Sequence, residues 1–194
     1  ARTNNTENRN RRSKLPHPKL EPSATLWLGF LSGENKNMID IKDVTKSAAA
    51  EKLDELFWTV LWQPLGLPRN VRHSFRLEGE DFELMAEENG QVVGGLAAVW
   101  KGDTELELRH LAVAALAQNR GVGRRLVTEL CRIAADKKCQ RIHTLARNTS
   151  AGFFRKLGFR TASGAAPEHP IFMKHGITFE PMEKIVKQNN TVKS

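Results

Sequence analysis

Val113-Ala114-Ala115-Leu116-Ala117-Gln118-Asn119-Arg120-Gly121-Val122-Gly123-Arg124-Arg125 is the stretch on which the reading of this chain turns. An apolar strand ends at Val113 and runs into a loop, where two glycines open a long amphipathic helix. Glycine there lets backbone N–H groups come close to an anion, and a helix N-terminus carries partial positive charge. Arg120, Arg124 and Arg125 stand in the same first turn, where a bare helix favours Asp or Glu. Each cation so placed costs on the order of 0.3–1 kcal/mol against the helix dipole. Three together point to an anion that offsets them. A P-loop is excluded, because no Gly-Lys-Ser/Thr follows. A dinucleotide fingerprint is excluded as well. Its third glycine would fall at Leu126, and its acid at the end of the next strand, where Leu145 and Ala146 stand. The bland alternative is a glycine-opened helix with solvated arginines.

Working outward, strand and helix patterns alternate. Residues 121–138 form the clearest helix, with Val122, Leu126, Val127, Leu130, Ile133 and Ala134 on one stripe. Residues 140–146 read as a strand, 150–157 as a short helix closed by Gly158, and 159–163 as another strand. A loop with Pro167 and Pro170 leads to a last strand at 177–186. Upstream, 103–113 is a strand, and 81–87 and 91–100 flank Asn89-Gly90, a hairpin signal. Residues 47–61 place Leu53, Leu56, Phe57, Val60 and Leu61 on one helical face before Pro64, and 38–44 is a short strand. This order predicts an α/β fold, a mixed sheet with helices on both faces.

Composition sets the bounds. A chain of 194 residues makes about one domain, and 40% apolar with 27% charged residues excludes wholesale disorder. The longest apolar run, 24–31, falls far short of the roughly 18 residues a bilayer span needs, so no membrane partner is expected. Two cysteines, Cys131 and Cys139, cannot staple a chain this size, which predicts a reducing, cytoplasmic setting. The net charge of +8 favours an anionic partner. Residues 1–37 hold seven Lys/Arg against three Asp/Glu and supply half of that charge. They read as a disordered basic arm, a targeting extension or one not native to the domain, with 24–31 able to dock; the domain spans 38–194. The arm's basic residues are not interleaved with aromatic ones, so nucleic acid ranks last among partners.

The loop Gln118-x-x-Gly121-x-Gly123 after a strand resembles the pyrophosphate loop of the GNAT superfamily, the acyl-CoA-dependent N-acetyltransferases. Residues 146–159, Ala-Arg-Asn-Thr-Ser-Ala-Gly-Phe-Phe-Arg-Lys-Leu-Gly-Phe, resemble the family's strand–helix–Gly-Phe block. Met182-Glu183-Lys184 matches its frequent Met-x-Lys ending, and 62–67 is similar to the segment after the first helix in some members. The likeness covers roughly residues 38–187. It implies a mostly antiparallel GNAT sheet, splayed where acyl-CoA lies, with acetyl-CoA as co-substrate, a small amine as acceptor and no metal. Homodimers are frequent in the family, so a homodimer stays an open expectation.

Residue by residue, the resemblance assigns the pantetheine to backbone at Leu111, Ala112 and Val113, where one N–H polarises the thioester carbonyl. Gln118, Asn119, Arg120, Gly121, Val122, Gly123 and Arg124 form the pyrophosphate loop. Arg120, Arg124 or Arg155 would meet the 3′-phosphate. The attacking amine arrives protonated, since a lysine-like pKa is ~10.4, so a base is needed. Glu107, six residues before Val113, matches the glutamate base of histone-acetylating members. By period two, Glu105, Glu107, Arg109, Leu111 and Val113 share one face unless a bulge intervenes, and His110 points the other way as a core histidine. Glu105 and Glu107 side by side would raise each other's pKa. The plainer reading leaves both as solvent-facing charges, or Glu107 paired with Arg109. His143 carries the same ambiguity as His110. Trp62 and Arg109 are the expected acceptor contacts, with Arg109 suited to a carboxylate.

Two positions depart from the family's pattern. Phe154 stands where many members have the tyrosine that protonates departing CoA; a CoA contact is still expected there, and Ser150 or water could replace the acid. Arg147 stands where many have a pantetheine-binding asparagine, and Asn148 comes one place late. The first departure keeps a second function open, an acyl-CoA-binding module without turnover.

Overall fold

The computed structural model describes residues 38–74 and 78–188; the expectations for residues 1–37 lie outside them. Seven strands form one open sheet: β1 (Asp40–Asp43), β2 (Glu80–Glu88), β3 (Gln91–Lys101), β4 (Glu105–Val113), β5 (Arg141–Arg147), β6 (Arg160–Thr161) and β7 (Phe179–Ile185). Their order is β1-β2-β3-β4-β5-β7-β6, and every neighbour pair is antiparallel except β4 with β5. The helices are α1 (Ala50–Phe57), α2 (Val71–Ser74), α3 (Val122–Asp136), α4 (Ala151–Lys156) and α5 (Pro170–Lys174). Two short ones, α2 and α5, carry no long apolar period and were not expected from the pattern. The helix expected over 47–61 starts at Ala50. Beyond Phe57 it widens into a π turn, Trp58–Trp62, and then a 3₁₀ turn, Gln63–Leu65. Pro64 has no N–H to carry the ladder further.

Helices cover both faces. Val122, Leu126, Val127, Leu130 and Ala134 of α3 and Phe154 of α4 meet Phe82, Leu84, Leu96, Leu106, Leu108 and Ile142 on one side. Leu53, Leu56 and Phe57 of α1, with Trp62 and Val71, meet Met85, Ala97 and Ala112 on the other. Both helices bear down on β3 at adjacent residues. A Cβ on Gly94 would lie 2.6 Å from Val122 Cγ1, and one on Gly95 would lie 2.5 Å from Leu53 Cδ2. No side chain fits under either helix there. This Gly-Gly step sets how closely α1 and α3 can approach the sheet.

Two irregularities shape the centre of the sheet. First, β4 and β5 pair only from Glu105↔Arg141 to Leu108↔Thr144. Thr144 Oγ1 donates to Leu108 O at 2.8 Å and closes the apex. Beyond it the strands part, so one edge of Arg109–Val113 is left without a strand neighbour. Second, His110 lies opposite Ala97 while Leu108 lies opposite Ala98, which makes Arg109 an extra, bulged residue.

The bulge corrects the period-two reading. Leu106 and Leu108 enter the α3 layer, and after the bulge Leu111 and Val113 pack against that same layer. Glu105 and Glu107 therefore share the α1 face with His110 and Ala112. His110 is on the same face as Glu107, not opposite it. Leu111 and Val113 are on the other face from the glutamates. One inserted residue is enough to exchange the two sets.

Candidate active site

The loop before α3 leaves backbone donors uncapped. Gly121 takes the left-handed conformation at φ 82° as N-cap of α3, and Asn119 is left-handed at φ 60°. The first hydrogen bond of the helix runs from Arg125 N–H to Gly121 O, 3.0 Å. The N–H groups of Val122, Gly123 and Arg124 thus have no helical acceptor, and no side chain caps them. Open space surrounds the position a Cβ would take on Gly121. Gly123 is tight: a Cβ there would sit 3.3 Å from Phe153 Cζ.

The three arginines of this turn divide their tasks. Arg120 pairs with Glu88, and Arg125 donates to Ile39 O at 2.7 Å. Arg124 is exposed and pairs with no carboxylate among the described residues. Arg155, the other candidate for the 3′-phosphate, holds Glu180 at 2.6 Å. Gln118 Nε2 donates to Val113 O at 3.3 Å and ties the loop to the strand end. The side of β4 left without a strand neighbour at Leu111, Ala112 and Val113 begins directly beside that contact.

The α1 face of the split carries the titratable groups. Glu107 is largely buried; Arg109 Nη1 donates to it at 2.9 Å, and Lys101 Nζ is 3.9 Å away. Glu105 instead binds Arg141, which also reaches Glu183, so the two glutamates do not act as a pair. His143 stands beside Glu107 in register, with its Nε2 buried and lacking a hydrogen-bond partner. The His110 ring packs edge-on against Trp62, 5.0 Å between centroids, and against Phe57 at 5.6 Å. Burial, then the charges of Arg72, Arg109 and Arg147, lowers its pKa to about 3. It is neutral at physiological pH.

A cleft of about 410 Å³ opens beside this face, lined by Asp54, Arg72, Glu83, Arg109 and His110 among others. Arg72 bridges Asp54 and Glu83, and Glu83 is buried. Sequence reading passed over this triad. An acid inside the apolar run Phe82-Glu83-Leu84-Met85-Ala86 was the signal that could have found it. Trp62 is only 3% exposed and backs the His110 ring. Trp58 donates to Leu67 O at 3.0 Å, with Arg69 stacked over it at 4.6 Å.

The two departures have distinct settings. Phe154 is buried between Phe153 and Phe159 and offers no proton. Ser150 Oγ donates to Arg147 O at 3.1 Å. Asn148 Nδ2 donates to Gly176 O at 3.1 Å, in the turn after α5. Arg147 Nη2 crosses to Leu61 O at 2.9 Å, in the π turn that follows α1. No motif announces that contact.

A sheet split between its two parallel strands, with an uncapped glycine-opened helix beside it, is the architecture of this α/β domain. Comparison with known proteins agrees. The model of the acetyltransferase (GNAT) family matches residues 47–159, more than half of the chain. The chain belongs to that family. Among solved structures, Tetrahymena GCN5 is 21% identical over 78% of this chain and 98% of its own, with a TM-score of 0.60. An aminoglycoside 6′-N-acetyltransferase complexed with coenzyme A is 18% identical over 77% and 98%, at 0.61. An acyl-CoA N-acyltransferase from Pseudomonas aeruginosa is 16% identical over 76% and 99%, at 0.62. These three likenesses concern the fold.

Proposed function

We propose that the protein transfers an acetyl group from acetyl-CoA to the primary amine of a small acceptor, through a domain spanning residues 38–194. The observation that carries this reading is the β4–β5 split, which leads from the uncapped N-terminus of α3 to the face bearing Glu107. Backbone N–H groups from Asn119 to Arg124 receive the pyrophosphate, and Arg124 is the open cation for a further phosphate. The free edge of β4 at Leu111, Ala112 and Val113 pairs with the pantetheine. A fixed N–H dipole on the thioester oxygen stabilises the charge that develops there.

The acceptor nitrogen attacks the carbonyl carbon; the N–C bond forms, the C–S bond breaks, and CoA leaves as thiolate. Glu107 takes the proton that the nitrogen must lose. Three guanidinium charges oppose protonation of His110, so the carboxylate is the base we assign. Phe154 gives the thiolate no proton. CoA can leave without that help, taking the cysteine pKa of ~8.5 as a guide to its thiol. Free Cys131 and Cys139 are in keeping with a reducing, cytoplasmic setting.

The test is thiol release from acetyl-CoA over a panel of amino acids, polyamines and aminoglycosides, beside calorimetric binding of acetyl-CoA. Binding with release for one amine class supports the reading. Binding without release across the panel favours a non-catalytic module, which the lack of a hydroxyl at Phe154 makes the second reading. Absence of binding overturns both.

A further inference from the structure

Arg147 ends β5, beyond the last β4–β5 pair, where the two strands have parted. Ile142, Thr144 and Ala146 are buried on the α3 face, which turns Arg147 to the face of Glu107 and His110. Its guanidinium crosses to Leu61 O and lies 5.8 Å from the Phe172 ring centroid on α5. Four arginines among the described residues are half-buried: Arg72, Arg109, Arg141 and Arg147. The first three each have a carboxylate partner: Glu83 and Asp54, Glu107, and Glu105 with Glu183. Arg147 has none among the described residues. Burial alone acts on its pKa, and it acts downward.

A half-buried charge without a counterion is costly, and an anion that supplies one binds strongly. Leu61 O engages one of five N–H donors and leaves the fork available. The pyrophosphate cannot be that anion, because its loop opens α3, which packs on the opposite face of the sheet. The charge of Arg147 bears on His110, which shares that sheet face with Glu107, the base proposed above. Its counterion therefore belongs to the acceptor. A single guanidinium matches a single negative charge, and its planar fork matches a carboxylate.

We propose that Arg147 binds a carboxylate of the acceptor, and that the acceptor is an amine of the amino-acid type. This rests on the acetyl-transfer reading. The contact to Leu61 O also pins the end of the π turn, so the test needs a readout that a purely structural role would not move.

The probes are a set of N-acetyl amino acids, which mimic the product, and their uncharged amides, titrated by calorimetry with and without CoA. In the wild type an acid should bind and its amide should bind about 10- to 100-fold more weakly, the usual worth of a charge-assisted hydrogen bond. Arg147→Gln should close that gap, and Arg147→Lys, which keeps charge but loses the fork, should keep part of it. Equal binding of acid and amide by the wild type, no binding of any acid, or a gap that survives Arg147→Gln overturns the proposal. Succinyl-CoA against acetyl-CoA separates the other source of a carboxylate, the acyl group. If Arg147→Gln weakens succinyl-CoA alone and leaves the acid–amide gap intact, the assignment to the acceptor falls. CoA binding is read separately. Its absence in the wild type sinks the acetyl-transfer reading, while the acid–amide titrations without CoA still read Arg147.

Discussion

Gly121→Asp separates the cradle from the fold more sharply than any other substitution. Nothing lies within 4 Å of the new Cβ, so the change meets no clash. Its folding cost is left-handed backbone strain at φ 82°, about 1–2 kcal/mol. In a domain of this size each kcal/mol moves Tm by about 2–4 °C, so the variant should melt about 2–8 °C lower and be folded at 25 °C. The open space it enters is the space proposed for the pyrophosphate. A carboxylate about 4 Å from one phosphate charge is repelled by about 4 kcal/mol at an effective dielectric constant near 20. That is a loss of about 10³-fold in acetyl-CoA affinity. Gly121→Ala has the same strain without the charge, so it should lose much less, and added salt should recover part of the affinity of the Asp variant only. Calorimetry of acetyl-CoA against the three proteins, with melting curves beside it, decides the matter. A folded Gly121→Asp protein with wild-type affinity would refute the cradle.

Glu107→Gln should lower thiol release by about 10²–10⁴-fold, the usual range for a lost general base, with acetyl-CoA affinity unchanged; equal loss of binding would make it structural. His110 titrates near 6.5 unfolded and about 3 folded, so the unfolded chain binds more protons between those values, and stability falls as pH drops through that window. At pH 4.5 the loss is about 3 kcal/mol at ~1.4 kcal/mol per unit, and His110→Phe should flatten that part of the Tm–pH curve. Arg72→Met leaves Glu83 buried without its partner and should cost about 3–5 kcal/mol in denaturant unfolding, with Glu83→Gln restoring much of it.

How much of this was legible depends on the range of the interaction concerned. The stripe on α3 reads directly because every contact in it repeats at 3.6 residues. The Asn89-Gly90 turn, left-handed at φ 51° and 77°, reads because those two residue types tolerate that backbone. The uncapped turn before α3 was legible for a similar reason: its donors are consecutive backbone groups, and Gly121 takes the left-handed step that starts the helix. Strand ends shifted by a few residues; 159–163, for instance, shrank to Arg160–Thr161. Terminal pairs depend on what the neighbouring strand offers.

The site's two faces were not legible. Whether His110 or Leu111 joins Glu107 depends on the bulge at Arg109, and that bulge exists only in the register of β4 against Ala97 and Ala98. Nothing within β4 announces it, because a strand with one more or one fewer inward residue has the same local propensity. The Arg147–Leu61 contact and the Arg72–Glu83–Asp54 triad are likewise made between segments far apart in the chain. Local chemistry, written in adjacent residues, marked the family, the sheet-and-helix order and the glycine-opened turn before α3. Only the packed sheet decided which side chains meet across the split, because a one-residue slip in pairing turns each of them to the other face.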